Sequence, residues 1–445
     1  MEKIKRSFAS RVRNVLLFLL TLSMLLLAIL YIGGSQRADG EAALLAKPLP
    51  EGAVPVGEDL PYAEPLHEKD LLPLAFAAIR FGGKSGGAYG GEAAASALLD
   101  YAAEPLHHSL SGAFLLTAVP RSEFGLALFG DYLYLDFYKP LPYQMYYAFT
   151  GEYTAAARSS VAVNADRLLL SFAGNGTATL YLSDGVQVYR AGQNYVYKAT
   201  ELATLAADSR LSSFSMTERG VPKCSAAPRT DTLTLKSDGE ITEAQYLALL
   251  SLLEFRAAAA DPRSGTLVDP HGTLRLTPSR FVFSASSDGG IAVSNLLDTA
   301  KDALDIDLYD ILAASVTLLE QLQATLPAVA GAGLAPYLAA FSHENDVFTV
   351  TFGAAANGIP IVGASFPFFA RMTVQNGRFR SVELRYVHAE QSGIARTLFS
   401  SAWSYAHAAK RGTLHSLRLY YQLPSLPTEA LDASWYCTYE SEVAP

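Results

Sequence analysis

The chain has few cysteines for its length. Cys224 and Cys437 are the only two among 445 residues, which excludes a fold built on a disulfide framework. The two could pair outside the cytoplasm, or each could serve as a small buried apolar residue. Neither has a histidine or a second cysteine nearby at ligand spacing, so no zinc site is predicted.

Charged residues are also scarce. They make up 17% of the chain, whereas hydrophobic residues make up 50%, and this composition argues against global disorder. The formal net charge is −9, which disfavours nucleic acid and anionic membrane surfaces as partners. No nucleic-acid partner is therefore predicted.

One long apolar run stands near the amino end. It extends from Val15 to Ile32 without a charge and is long enough to cross a bilayer as a helix. Basic residues precede it, namely Lys3, Lys5, Arg6, Arg11 and Arg13, and such flanks stay in the cytoplasm. We expect a single-pass cell-membrane protein that contacts the lipid bilayer through residues 15–32, with its bulk extracytoplasmic. A cleaved secretory signal is the alternative, although GGSQRADGEAA after Ile32 is a poor cleavage site.

The remaining chain is too long for one ordinary domain. The sequence predicts α+β architecture with antiparallel sheets, because helices and strand meanders segregate along it instead of alternating. The predicted segments are a basic flank and anchor (1–33), a linker (34–68), an N-terminal α+β domain (69–200), a middle domain (231–290) and a C-terminal α+β domain (291–445). Residues 201–230 are predicted to be a connection.

Periodicity and turn residues predict individual elements. Helical spacing predicts helices over 92–110, 241–255, 296–326 and 392–411, the third with a break near Ile306. Alternation predicts strands at 132–137 and in a hairpin over 370–386. Tight turns are expected at Asn175-Gly176, Asp184-Gly185 and Asn376-Gly377. The stretch GGKSGGAYGG at 82–91 is interpreted as a glycine loop.

Ser85 is the one candidate nucleophile. Gly83-Lys84-Ser85-Gly86-Gly87 fits the pattern G-x-S-x-G, which requires a strand-to-helix turn in a parallel sheet. The neighbouring glycines and the antiparallel pattern argue against that setting. A phosphate-binding loop is also disfavoured, because position 78 is Ala and not Gly.

No metal-binding pattern is complete. His107 and His108 are adjacent and cannot share one helix face, and His343 has Val347 where a second ligand would stand. A group of aspartates lacks the glycine of a calcium loop and is interpreted as a solvated helix end: Asp302, Asp305, Asp307 and Asp310. The sequence therefore predicts no catalytic, cofactor-binding or metal-binding residues, and no cofactor.

A tyrosine-rich span left two alternatives open. It contains Tyr132, Tyr134, Tyr138, Tyr143, Tyr146 and Tyr147, which would form either an exposed binding surface or strand residues packed on a core. Asn175-Gly176-Thr177 also fits a glycosylation acceptor, although the turn role of Asn-Gly explains it without a sugar.

Three stretches resemble the YycH/YycI regulatory proteins of Gram-positive bacteria. The first is HENDVFTVTFGAAANGIPIVGASFPFFARMTVQNGRFRSVELRYV (343–387), which is similar to the carboxy-terminal region of that family, with its "nGiPv" turn and its hairpin with "v-x-n-G" at the tip. The others are FGLALFGDYLYLDFYKPLP (124–142) and LEFRAAAADPRSGTLVDPHGTLRLTPSRFVFSAS (253–286). The order of the stretches and the amino-terminal anchor also fit the family.

The resemblance implies a function that the residues alone do not. It implies a non-enzymatic, membrane-anchored regulator of a WalK-type sensor histidine kinase that controls cell-wall metabolism. The partners it implies are that kinase and a paralogous single-pass regulator, contacted through the membrane helix and the outer domains. Two other hypotheses stay open: a membrane-anchored envelope hydrolase with Ser85 as nucleophile, and a passive envelope binding or scaffold module.

Overall fold

The structure is a computed structural model that describes ten stretches of the chain. They are residues 71–111, 116–150, 163–192, 194–236, 241–255, 265–297, 306–326, 334–363, 366–423 and 430–439. The predicted anchor at 15–32 and linker at 34–68 lie outside these stretches. Within them, no helix combines the length and the apolar character needed to cross a membrane.

The fold is mixed α+β with antiparallel sheets, which confirms the predicted class at that level. Among the described pairings of named strands only β18 and β22 run parallel. The helices are α1 (Ala93–Ser111), α2 (Arg121–Ala127), α3 (Tyr143–Thr150), α4 (Ala199–Ala206), α5 (Glu243–Leu252), α6 (Leu308–Thr325) and α7 (Ser401–Ala408), with a 3-10 helix at Val293–Leu296.

The first sheet is formed by residues before position 200. Its strands are β1 (Leu74–Phe81), β2 (Lys84–Tyr89), β3 (Leu116–Val119), β4 (Asp131–Pro142), β5 (Asn164–Phe172), β6 (Thr177–Ser183), β7 (Val188–Ala191) and β8 (Tyr195–Val196). The order is β2-β1-β4-β5-β6-β7-β3, with β8 beside β6. Leu98 and Leu106 of α1 belong to the same buried core as Leu133 and Leu168 of the central strands, so α1 covers one face of this sheet.

The glycine loop predicted at 82–91 is wrong, because most of it is strand β2. Gly82 and Gly83 form a turn with positive φ, and β2 then pairs antiparallel with β1. A Cβ on Gly87 would lie 2.4 Å from the Phe76 ring, so only glycine permits this close packing. The glycines here allow a strand to approach its surroundings closely, which composition alone did not distinguish from a loop.

The segment 201–230 is more ordered than a plain connection. It contains most of α4 and the two-stranded sheet of β9 (Phe214–Met216) and β10 (Pro222–Cys224). Ser212 forms a backbone bridge with Gly87 of β2, which ties this segment to the edge of the first sheet.

The second sheet contains eleven strands. They are β12 (Gly265–Asp269), β13 (Gly272–Thr277), β14 (Arg280–Ala285), β15 (Ile291–Ala292), β16 (Ala335–Glu344), β17 (Val347–Ala356), β18 (Ile359–Val362), β19 (Ala370–Gln375), β20 (Arg378–Arg385), β22 (Leu414–Gln422) and β23 (Ala433–Tyr439). The predicted hairpin is confirmed as β19 and β20, with Asn376 and Gly377 at positive φ in the turn. Because β14 pairs with β20, strands from both the predicted middle and C-terminal domains share this sheet.

The two helices beside the second sheet begin at capping boxes. In α5, Thr242 and Gln245 bond reciprocally, and in α6, Asp307 and Asp310 do the same. α6 thus begins directly after the break predicted near Ile306. The interpretation of a solvated helix end is wrong for Asp310, which is buried and whose carboxylate accepts a hydrogen bond from the Asp307 backbone N–H. Asp302 and Asp305 lie outside the described residues.

The helix predicted over 392–411 is only half correct. Residues up to Thr397 belong to β21 (His388–Thr397), which pairs with β11 (Arg229–Lys236) in a separate two-stranded sheet. The helix begins after Ser400, whose hydroxyl accepts from the Trp403 backbone. Pairing with a distant strand outweighed the local helical pattern, which is a common reason for such errors.

Candidate functional site

Four charged side chains meet where the first sheet contacts β22 of the second. Arg418 Nη2 lies 2.6 Å from Asp136 Oδ1 and 2.7 Å from Asp166 Oδ2. Arg167 lies beside the same carboxylates, and all four side chains are buried. We call Asp136, Asp166, Arg167 and Arg418 the junction cluster. Its formal charges sum to zero, which is the condition under which charges are tolerated inside a protein.

Local strand geometry brings the first three members together. Asp136 of β4 stands directly opposite Arg167 of β5. The register of this pair of strands shifts between Asp136 and Leu141, and Asp166 lies next to the shift. Such irregularities redirect side chains within a sheet, so Asp166 and Arg167 both reach the cluster although they are neighbours in sequence.

Arg167 extends the cluster to two backbone carbonyls. Its Nη1 donates to the Arg219 carbonyl at 2.9 Å, and its Nη2 donates to the His415 carbonyl. Its Nε lies 3.8 Å from Asp166 Oδ1, and neither of these two atoms has a hydrogen-bond partner among the described residues. Arg167 therefore joins the segment 217–220 and β22 to the first sheet.

Burial and the neighbouring charges move the pKa values of the cluster in different directions. Burial raises the pKa of Asp136, against the attraction of Arg418 and Arg167. Burial also favours a higher pKa for Asp166, but the positive charges of Arg418 and Arg167 outweigh it and hold the pKa below the ordinary value. The two carboxylates raise the pKa of Arg418 well above its usual range although burial opposes them, so this guanidinium stays charged.

His415 packs against the cluster from β22. Burial, and next to it the positive charge of Arg167, lowers the pKa of His415 to about 4. Gly185 of the predicted Asp184-Gly185 turn lies against the same ring, since a Cβ there would be 2.3 Å from His415 Cε1. The turn therefore serves both the β6–β7 hairpin and the contact between the sheets.

A second polar contact, close to the junction cluster, joins β2 and β10 to the start of α7. Ser401 Oγ, at the start of α7, accepts from the Cys224 backbone at 2.7 Å and from the Tyr89 hydroxyl at 3.1 Å. Tyr89 lies on β2 and Cys224 on β10, and all three residues are buried. Burial raises the pKa of the Tyr89 hydroxyl, so it remains a neutral donor.

The space between these contacts is very small. A cavity of about 10 Å³ lies among residues that include Asp136, Arg418, Tyr89 and Ser401. That volume is near the lower limit for one water molecule. The junction can therefore hold water, but it has no room for an organic substrate.

Ser85 does not occupy a nucleophile elbow. It lies at the exposed start of β2, opposite Arg80 of the antiparallel partner β1. The G-x-S-x-G geometry requires a turn between a parallel strand and a helix. The hairpin therefore contradicts the structural context on which the hydrolase hypothesis depends.

The histidines flagged in the sequence have structural neighbours. His108 packs on Tyr195, and His343 stacks on Phe348 with ring centroids 3.9 Å apart. Across the described stretches, no three His, Cys, Asp or Glu side chains are grouped to hold a metal ion.

The tyrosine-rich span packs into the core in its described part. The buried rings are Tyr132, Tyr134, Tyr138, Tyr143 and Tyr146, while the side chain of Tyr147 is outside the described residues. The hydroxyls of Tyr134 and Tyr146 donate to the carbonyls of Gly220 and Ala165, each at 2.6 Å. An exposed binding surface is thus excluded for these five rings.

The remaining candidates are a glycosylation turn and two cysteines. Asn175 is exposed in a hairpin turn, and its Oδ1 accepts from the Thr177 hydroxyl at 2.7 Å. Cys224 is a buried free thiol and Cys437 a partly buried one.

Sequence reasoning missed the junction cluster entirely. The available signal was a charge inside an otherwise apolar strand, as in YLYLDFY around Asp136 and LRLYY around Arg418. Such positions mark a buried ion in need of a partner, but the pattern does not say where the partner stands. No family model, curated protein or solved structure matches the chain.

Proposed function

We propose that this chain is a non-enzymatic, membrane-anchored extracytoplasmic regulator of a WalK-type sensor histidine kinase that controls cell-wall metabolism. Residues 15–32 cross the cell membrane once, with the amino terminus in the cytoplasm. The chain acts through contacts of its membrane helix and its outer part with the kinase and with a paralogous single-pass regulator. It requires no cofactor.

The observation that carries the proposal is the chemistry of the junction cluster. Asp136, Asp166, Arg167 and Arg418 are buried, neutralise one another and connect the two large sheets. A catalytic group must reach substrate, whereas these charges are directed at each other across a contact between sheets. The cluster is suited to holding the two parts of the outer chain in a fixed relation.

A fixed relation between the two sheets matters for a regulator that works by contact. A regulator biases its partner only through contacts that differ between the partner's states. Two sheets locked by buried ion pairs can present one continuous surface to the kinase without rearranging. The three stretches that resemble the YycH/YycI family supply β4, β12 to β14 and β17 to β20, which are strands of both sheets.

Co-purification tests the partnership. The full chain, carrying an affinity tag, is expressed with a WalK-type kinase and extracted in a gentle detergent. We expect the kinase to co-purify in stoichiometric amount, and a variant with residues 15–32 replaced by an unrelated membrane helix to retain less of it. Recovery of the tagged chain without the kinase would contradict the proposal.

A further inference from the structure

One face of the second sheet carries an unbroken row of hydroxyl side chains. Six residues on six adjacent strands stand directly opposite one another in the observed register: Ser342, Thr349, Thr373, Ser381, Ser284 and Thr273. We call them the hydroxyl row. With neighbouring strands about 4.8 Å apart, the row extends over about 24 Å.

The row faces away from the protein core. On the same strands the alternate residues, such as Phe283, Met372 and Val382, are fully buried in the core cluster. Ser342 and Ser284 are exposed, and the other four members are partly exposed. None of the six hydroxyls bonds to another described residue by its side chain, so their hydrogen-bonding capacity is directed outward.

A second row lies two residues from the hydroxyl row on four of these strands, and it adds positive charge. Arg371, Glu383, Val282 and Arg275 stand opposite one another in register. Glu383 pairs with Arg280 at 2.5 Å, whereas neither Arg275 nor Arg371 has a carboxylate partner among the described residues. The face therefore has surplus positive charge, although the whole chain carries −9.

Arg371 is held in place without losing its donors. Its guanidinium carbon lies 4.2 Å from the centre of the Phe368 ring, and that of Arg385 lies 4.9 Å from the same ring. Contact between a guanidinium and a ring face leaves the N–H groups at the edge able to bind a carboxylate. The ring thus orders the charge before a ligand arrives.

We propose that this face binds a linear acidic glycan, an extended chain of sugars of which some carry carboxylates. Regularly spaced hydroxyls match the hydroxyls of a polymer, and two guanidiniums without a carboxylate partner in the neighbouring row match a chain of sparse negative charge. The polymer lies across the strands along the hydroxyl row, with its carboxylates on Arg371 and Arg275.

Other ligands fit this face less well. Protein interfaces favour aromatic anchors and are depleted in serine, whereas this row contains three serines and no aromatic side chain. A polyphosphate carries a charge on every unit and would require more cations than the face supplies. The inference does not depend on the proposed kinase partnership, because it concerns only the chemistry of this face.

Calorimetric titration of the full chain in detergent micelles tests the inference. The probes are oligogalacturonate, a neutral glucan of the same length and polyphosphate, each at low and high salt. We expect oligogalacturonate to bind, with affinity that falls as salt rises, and the other two to bind at least tenfold more weakly. Absence of oligogalacturonate binding, or equal binding of the neutral glucan or of polyphosphate, would overturn the proposal.

Variants locate the binding to this face. The double variant Arg275→Gln with Arg371→Gln, and separately Thr373→Val with Ser284→Ala, should each weaken oligogalacturonate binding about tenfold or more. All four side chains are at the surface, so folding is preserved and is checked by circular dichroism. Arg210→Gln, an exposed arginine in the segment after the first sheet, is the control and should bind normally. Unchanged binding in both double variants would overturn the assignment.

Discussion

Arg418 and Asp136 are separated by 282 residues in sequence, yet Nη2 of the arginine lies 2.6 Å from Oδ1 of the aspartate. The same nitrogen lies 2.7 Å from Asp166 Oδ2. One buried guanidinium therefore bridges two carboxylates of the first sheet from a strand of the second. This contact is one of several that join the two sheets, alongside the bond from Arg167 to the His415 carbonyl.

Replacing Arg418 with methionine should strongly destabilise the protein. The substitution keeps much of the buried volume but leaves two carboxylates close together without their bridging cation. Breaking a buried ion pair from one side costs about 3–5 kcal/mol, and we expect a loss of that order in urea unfolding. Arg210→Met is the control, because Arg210 pairs with Asp208 at the exposed surface and should change stability little. Equal stability of the two variants would show that the junction cluster does not stabilise the folded protein.

Stability should fall as the medium becomes acidic between about pH 6.5 and 4. Folded His415 stays neutral down to its pKa of about 4, whereas an unfolded histidine takes up a proton near 6.5. The unfolded state therefore binds more protons in this window, and stability is lost as pH drops through it. The slope from this one group is at most about 1.4 kcal/mol per pH unit.

Thermal unfolding of His415→Gln over the same pH range checks this assignment. The variant should show a clearly flatter dependence between pH 6.5 and 4 than the unmodified chain. His343→Gln, which alters an exposed histidine stacked on Phe348, should keep the original slope. A slope that persists in His415→Gln would assign the acid sensitivity to other groups.

Gly185→Ala and Gly176→Ala form a matched pair. Both glycines have nearly the same positive φ, +82° and +84°, so alanine suffers similar backbone strain at either site. A Cβ at 185 also meets the His415 ring, whereas at 176 nothing lies within 4 Å. We expect Gly185→Ala to lose at least about 1 kcal/mol more than Gly176→Ala on denaturant unfolding. Equal losses would mean that the turn does not support the sheet contact.

Ser85→Ala should leave both folding and regulatory effect unchanged. Ser85 lies at the exposed start of β2 and has none of the geometry that activates a nucleophile. The measurement is the output of the kinase pathway in cells that carry the variant in place of the original chain, with its amount checked by immunoblot. Loss of output at normal abundance would revive Ser85 as a reactive residue.

The sequence predicted elements well where local signals agreed. The hairpin of β19 and β20 combined alternation with an Asn-Gly turn, and the helical spacing that predicted α5 agrees with the cap that the structure shows at Thr242. In each case a short window contained all the information, because the turn residues and the apolar period specified the same structure.

Prediction from the sequence failed where a residue or strand far away in the chain determined the local structure. β21 became a strand because β11 supplies its backbone bonds across more than 150 positions, as between Lys236 and His388. The glycines of β2 were ambiguous until Phe76 and Ser212 were seen to approach them closely. The junction cluster could not be predicted for the same reason, because the sequence shows each charge alone and only the fold places Arg418 beside Asp136.

Reconstitution with the kinase tests whether the chain regulates it by contact. The full chain and a WalK-type sensor kinase are placed in the same lipid nanodiscs, and the rate of kinase autophosphorylation is compared with that of the kinase alone. We expect a reproducible change in rate that disappears when Arg418→Met uncouples the two sheets. An identical rate with and without the chain, at saturating ratio, would contradict the claim that it regulates the kinase by contact.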